Sequence, residues 1–208
     1  MQRQNHQRRS NTRRLRRGVS VLWLIVIMPL ALTGLIFTIE TGRLWLARAE
    51  VENALEAGAL AGVIEWNQLL AVNNQISTQT PRQMAAEMAG SNTVQGANFA
   101  FADPDLNYLP YEVGQVQTHL NGNKLAGGEL IFGAITQTQP TVIFDPAANP
   151  LLPTYYRAVL ARSAYQIPSQ CSLGGFSLGP FTIQAETVAM IDEQGRARVV
   201  RIDSIASP

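Results

Sequence analysis

The chain has 208 residues, 46 % of them apolar, and a formal charge of only +1. That composition excludes a disordered polymer, and the single cysteine, Cys171, excludes both an internal disulfide and a cysteine-built zinc site. The near-neutral total hides a segregation. Seven arginines (Arg3, Arg8, Arg9, Arg13, Arg14, Arg16 and Arg17) and no acid fall within the first 17 residues, which leaves 9 basic against 15 acidic residues beyond them, a net −6.

A basic tail and an acidic body belong on different sides of a barrier, and the next segment supplies one. Val19 to Ile39 is 21 residues without a charge. As a helix it spans about 32 Å, one hydrocarbon core. Thirteen of those residues are Val, Leu, Ile or Phe. Together they favour insertion by about 4 to 8 kcal/mol. Pro29 stands mid-span and removes one helix hydrogen bond, a loss that lipid-embedded helices tolerate. The arginines should stay on the cytoplasmic side, with the acidic body exported. Seven arginines beside a span are explained by topology and anionic lipid, so no nucleic-acid partner is expected. Ala47-Arg48-Ala49 has the small-x-small form of a signal-peptide cleavage site. The apolar run is much longer than an export signal of about 7–15 residues, and Glu40, Arg43 and Arg48 intervene, so the run reads as a lasting anchor.

Residues 40 to 70, ETGRLWLARAEVENALEAGALAGVIEWNQLL, contain no proline and are rich in helix formers. The sequence predicts one helix running from about Val19 to Leu70, with Trp45 near the lipid boundary. Apolar and small residues recur along it at steps of three and four: Leu44, Ala47, Val51, Ala54, Gly58, Ala61, joined by Leu55, Ala59 and Gly62. Small side chains admit a second backbone. Two readings stay open: the face packs on the chain's own body, or part of it packs on other subunits.

The stretch from Arg16 to Val63 resembles the N-terminal signature of the TadE/TadG-like family, which helps build Flp-type (tight adherence) pili. The shared pattern is basic residues and Gly18, an apolar run containing Pro29, then Thr41-Gly42-Arg43-Leu44, then Asn53-Ala54 and Ala59-Leu60-Ala61-Gly62. The resemblance implies a bacterial inner-membrane protein with a cytoplasmic N-terminus and a periplasmic or extracellular body. It marks Gly18 and Val19 as the bond that a prepilin peptidase would cut. Family members processed in that way carry glutamate five residues beyond the glycine, where this chain has Trp23. The chain therefore looks closer to the TadG-like branch, whose members can remain anchored. Relatives with a metal-dependent adhesion domain carry an Asp-x-Ser-x-Ser loop, which is absent here.

Beyond a polar loop at 71–79, Thr80-Pro81-Arg82-Gln83 has the form of a helix start, with Thr80 as cap. The predicted helix covers 81–89, with Met84 and Met88 on its core face. Strand signals dominate from 110 to 208. Residues 111–120 and a return strand within 129–138 read as a hairpin about Asn121-Gly122. Residues 141–144 form a short apolar run, and 155–165 fit helix or strand equally. Residues 180–191 and 196–203 form a C-terminal hairpin around Asp192-Glu193-Gln194-Gly195. A glycine-rich link, Leu173-Gly174-Gly175-Phe176, precedes it. An exposed sheet edge is expected, without a sign of which strand forms it.

Chemistry is sparse. The only histidines are His6 in the tail and His119 in a predicted strand. No metalloprotease, nucleophile-elbow or phosphate-loop motif occurs. Asp103 and Asp105 flank Pro104 without the glycine and glutamate of a calcium loop. Cys171 reads as a small, partly buried side chain, or as a link between two copies on an oxidising side. No enzyme activity, cofactor or metal is expected.

The sequence thus describes an α+β, pilin-like chain: a basic tail over 1–18, a membrane helix over 19–39, and an exported body over 40–208. That body has a helix over 40–70, a short helix over 81–89 and a mostly antiparallel sheet over 110–208. The expected role is a membrane-anchored structural or assembly component of a Tad/Flp-type pilus or related secretion apparatus. Leu44, Val51, Ala54, Gly58 and Ala61 are the candidate helix-packing residues. The expected partners are the bilayer, other pilus-assembly or pilin-like subunits, and copies of itself. The alternative is a single-pass anchored periplasmic binding or sensing module.

Overall fold

The computed structural model describes residues 4–73, 77–101, 128–169, 172–173, 176–177 and 179–206. One helix, α1 (Gln4–Asn73), runs 70 residues from the arginine-rich tail through the apolar run and beyond it. It is longer at both ends than the sequence indicated, starting within the tail and ending three residues past Leu70. Pro29 lies inside it without ending it. Proline lacks the N–H that would bond the Ile25 carbonyl, so one rung of the ladder is missing there. The hydroxyls nearby bond within the helix: Thr33, Thr38 and Thr41 donate to the carbonyls of Pro29, Gly34 and Phe37 at 2.8, 2.9 and 2.8 Å. In lipid, that leaves none of these three donors without an acceptor.

α2 (Gln79–Gly90) starts two residues before the predicted 81. Thr80 is not its cap. Thr78 holds that position, and its hydroxyl accepts from the Arg82 Nε at 3.3 Å instead of capping a backbone N–H. The expected core face is also displaced. Met88 is exposed and Met84 half-buried, while Pro81, Arg82, Ala85 and Ala89 are buried. A small hairpin follows, β1 (Thr93–Val94) and β2 (Ala97–Asn98), turning through Gln95 and Gly96 with positive φ at both.

The remaining strands are β3 (Leu130–Gln137), β4 (Ile143–Asp145), β5 (Tyr156–Ile167), β6 (Ser172–Leu173), β7 (Phe176–Ser177), β8 (Phe181–Ile191), β9 (Ala197–Val200) and β10 (Ser204–Ile205). Six of them form one sheet in the order β10-β4-β3-β5-β8-β9. Every pairing is antiparallel except β10 with β4. The α+β class is as expected. The predicted strand at 111–120 and its Asn121-Gly122 turn lie outside the described residues, as do Asp103, Asp105, His119 and Cys171. β3 has β4 and β5 as its described neighbours. The glycine-rich link carries a two-stranded hairpin in which Leu173 sits opposite Phe176.

The chain divides into two units, Met1–Leu44 with Ser169–Gly179, and Trp45–Pro168 with Pro180–Pro208. The first holds the apolar half of α1 and the β6–β7 hairpin. The second holds the rest of α1, α2 and the six-stranded sheet.

Within the second unit, strand alternation sends side chains to two faces. Leu130, Phe132, Val159, Ala161, Ala185, Ala189 and Ile191 join Val51, Leu55, Val63, Trp66 and Leu70 of α1 and Ala85 and Ala89 of α2 in one core. Ile131, Ile135, Phe144, Ala158, Leu160, Val188 and Met190 form the second, opposite core. β5 lies central and is covered on both faces. That is why residues 155–165 showed no clear period: a strand with two buried faces loses its alternation. The C-terminal hairpin stands as predicted. Asp192 Oδ1 accepts from the N–H groups of Gln194 and Arg196 at 3.0 and 2.9 Å, and Gly195 takes φ +75°.

Candidate functional site

Among the described residues, one helix is long and apolar enough to cross a membrane. It is the part of α1 from Val21 to Val72, and none of its most apolar window, of mean hydropathy 2.4, is buried inside the protein. From Val21 to Ile39 the large side chains are exposed on all sides, Leu30 to 75 % and Leu32 to 51 %. A soluble helix hides one stripe. A helix apolar all round needs an apolar solvent. At the top of this run Glu40 is buried, and one of its carboxylate oxygens accepts from Arg43 Nη1 at 3.1 Å, one turn on. An ion pair at this depth reduces the cost of holding either charge at a membrane boundary. Trp45 and Leu46 follow, both well exposed.

Above them α1 changes character. Ala47, Val51, Ala54, Leu55, Ala59, Val63 and Trp66 are fully buried, and Gly58 and Gly62 lie among them. The opposite face, Ala49, Asn53, Glu56, Ile64 and Gln68, is exposed. The two glycines explain how α2 fits. A Cβ built on Gly58 would stand 3.0 Å from the Ala85 carbonyl oxygen and 3.2 Å from the Ala89 Cβ. One built on Gly62 would stand 3.2 Å from the Ala85 Cβ and 3.5 Å from the Phe132 ring. A glycine pair four apart facing an alanine pair four apart lets two helix backbones approach closely. Of the five candidate packing residues, Val51, Ala54 and Gly58 thus face the chain's own body, and Leu44 and Ala61 are half-buried.

Polar contacts lock this helix to the rest of its unit. Arg82, almost wholly buried, donates from Nη1 to the Leu130 carbonyl at 2.7 Å, and its guanidinium lies 5.0 Å from the Phe132 ring centre. It ties α2 to β3 through a charge-assisted bond and a cation–π contact. Arg157 Nη1 donates to Asn67 Oδ1, joining β5 to α1. The Glu50 carboxylate accepts from the Gln95 N–H at 2.7 Å, joining the β1–β2 turn to α1. Sequence reasoning missed all three, because arginine is rarely expected inside and a helix-to-turn bond leaves no local signal.

Two open clefts border the sheet. One, of about 620 Å³, is lined by Glu129, Arg162, Ser163 and Gln184 to Glu186. The other, of about 480 Å³, lies between Arg48 and Glu52 of α1 and the β8–β9 side of the sheet. Among the described residues, no group of three or more His, Cys, Asp or Glu side chains could hold a metal ion. The titration behaviour is local. The Arg196 and Gln194 backbone bonds and the Arg196 charge hold Asp192 below the usual carboxylate range. The bond from the Tyr156 hydroxyl to Glu193, 2.7 Å long, raises the tyrosine above its ordinary value.

No curated protein and no solved structure matches the chain. One family model does match, over residues 18–68. That segment contains both the lipid-type run of α1 and the face that carries Val51, Ala54 and Gly58. Residues 18–68 of this chain are thus a Tad segment, the pattern of Flp pilus-assembly TadE/G-like proteins.

Proposed function

We propose that the chain is a membrane-anchored structural or assembly component of a Tad/Flp-type pilus or a related secretion apparatus. The observation that carries this reading is the coincidence of the family match at 18–68 with a helix whose first half is apolar on every side and whose second half is one-sided. Such a helix holds a folded body beside a bilayer and offers its free face, with the body's surface, to other subunits. The seven arginines favour a cytoplasmic tail and a body on the far side of the inner membrane. Trp23, where a processed subunit carries glutamate, favours a chain that keeps its tail rather than one cut between Gly18 and Val19.

The partners under this reading are other pilus-assembly or pilin-like subunits, the lipid itself and further copies of the chain. Val51, Ala54 and Gly58 support assembly indirectly, by fixing the body on the helix. Leu44, Ala61 and the exposed face of α1 are left for contacts between subunits. The clefts are open and rimmed by charged side chains, so they lend no support to an anchored module with an enclosed apolar ligand site.

The test is deletion of the gene, with complementation by the full chain. Loss of surface pili that the full chain restores is the expected result, and normal pili in the deletion strain would contradict the reading. Intact-mass measurement of the restored protein then separates the anchored form from one lacking residues 1–18.

A further inference from the structure

The sheet identifies the free edge that the sequence left unplaced. β8 pairs with β5 along its whole length, from Phe181 to Met190, but β9 covers only Val188 to Ile191 on the other side. Among the described strands none lies beside the outer edge of Phe181 to Thr187, about 23 Å at 3.3 Å per residue. The Asp192 N–H donates to the Arg196 carbonyl at 2.9 Å, which makes 192, 190 and 188 the residues whose backbone groups face β9. By the same alternation Thr182, Gln184 and Glu186 turn their N–H and C=O groups to the open edge, and Ile183, Ala185 and Thr187 turn theirs to β5. Thr182, Gln184 and Glu186 are exposed. The 480 Å³ cleft runs beside this edge, walled by Arg48 and Glu52 on one side and by Val199 to Ile202 on the other.

We infer that this edge receives an extended strand from a different polypeptide, which extends the sheet beside β8. The chemistry asked of the occupant is that of a backbone: three successive outward N–H and C=O pairs are met by another strand and by no compact side chain. The side chains set the preference. A basic or hydroxyl residue fits opposite Glu186, and small or apolar residues fit the alternate positions that face the α1 wall.

A second copy does not fit. Its described edges are β8 itself and the two-residue β10, which is too short. Joining β8 to β8 about a two-fold axis reverses every direction in the sheet plane. α1 lies along that plane, since its buried residues from Val51 to Leu70 share one core with β3, β5 and β8. The apolar runs that precede these segments in the same helix would then point in opposite directions and could not enter one membrane from the same side. The inference deepens the proposed function and rests on it only for which apparatus supplies the strand.

The test is amide hydrogen exchange on the full chain, compared between assemblies taken from native membranes and the same chain released alone in detergent. The expected result is alternation: Thr182, Gln184 and Glu186 slow by about tenfold or more in the assembly while Ile183 and Ala185 do not change. A partner that merely lies over the surface would slow neighbours without regard to parity, and that outcome overturns the inference. The Gln184→Pro variant removes one outward N–H and spares the bonds to β5. It should abolish the alternation while its melting temperature in detergent stays near that of the parent. Unchanged alternation in Gln184→Pro contradicts the proposal, and so does crosslinking of Gln184→Cys to its own counterpart in a second copy. Pili lost on deletion, with edge exchange unaltered, would keep the pilus reading and sink this one. Alternation in a strain with normal pili would do the reverse.

Discussion

The two halves of α1 share one backbone and opposite surroundings. Between Val21 and Ile39 large aliphatic side chains cover every side of the helix, and none of the large ones is buried by the protein. Between Ala47 and Leu70 the buried side is built largely of alanine, glycine and valine, and the exposed side carries Asn53, Glu56 and Gln68. The difference shows what each neighbour requires. Lipid chains are fluid and need only apolar surface, so side-chain size is unconstrained. A folded sheet and a second helix are rigid, so the face that meets them must match in shape as well as polarity.

The contrast can be broken at either half. The largest effect belongs to the span. Placing arginine at both Val26 and Leu30 adds about 5 to 7 kcal/mol to insertion, comparable to the whole gain from the aliphatic residues. Alkaline extraction of membranes should then release the protein, and the parent should stay in the pellet. A smaller effect belongs to the upper half. Gly58→Leu drives a side chain against the Ala85 carbonyl and Ala89, with an expected loss of about 1 to 3 kcal/mol in unfolding free energy. Denaturant titration in detergent measures it, and membrane insertion should be unaffected. The same leucine at exposed Gly42, where a Cβ meets nothing within 4 Å, should do neither.

The smallest effect lies away from the helix, at the β8–β9 turn. Asp192 titrates below its unfolded value because its carboxylate accepts backbone bonds from Arg196 and Gln194 in the fold. A carboxylate with a lowered folded pKa stabilises above the unfolded value and loses that contribution as pH falls through the folded one. Asp192→Asn should therefore flatten part of the acid limb of stability, below about pH 4, and leave stability near neutrality little changed. Melting curves between pH 2 and pH 7 read the difference directly.

What the sequence disclosed follows the same division. The span was legible because an apolar solvent writes a continuous signal over 21 residues. The C-terminal hairpin was legible because Asp192 and Gly195 encode their turn locally. α2 was misread for a physical reason. Met84 and Met88 are the larger apolar residues, but the space beside Gly58 and Gly62 admits only alanine, so Ala85 and Ala89 turn inward. Thr80 had the form of a cap, yet Arg82 needed the Thr78 hydroxyl, and the helix began earlier. Residues 155–165 were ambiguous because β5 is buried on both faces. The packing stripe from Val51 to Gly58 was found correctly as a stripe. Its partner could not be read, since small residues invite a close neighbour without naming it. Here the named neighbour within the chain is α2.

The account turns on the claim that α1 passes from lipid to a protein interior along its length. Single cysteines placed from Val21 to Leu70, in a Cys171→Ser background, can be probed in native membranes with a membrane-impermeant thiol reagent. Residues 21–39 should be unreactive at every position. From Ala47 upward, reactivity should follow the helix period, with Ala49, Asn53, Glu56 and Ile64 labelled and Val51, Ala54, Gly58 and Gly62 protected. Periodic labelling within 21–39, or uniform labelling above it, would contradict the account.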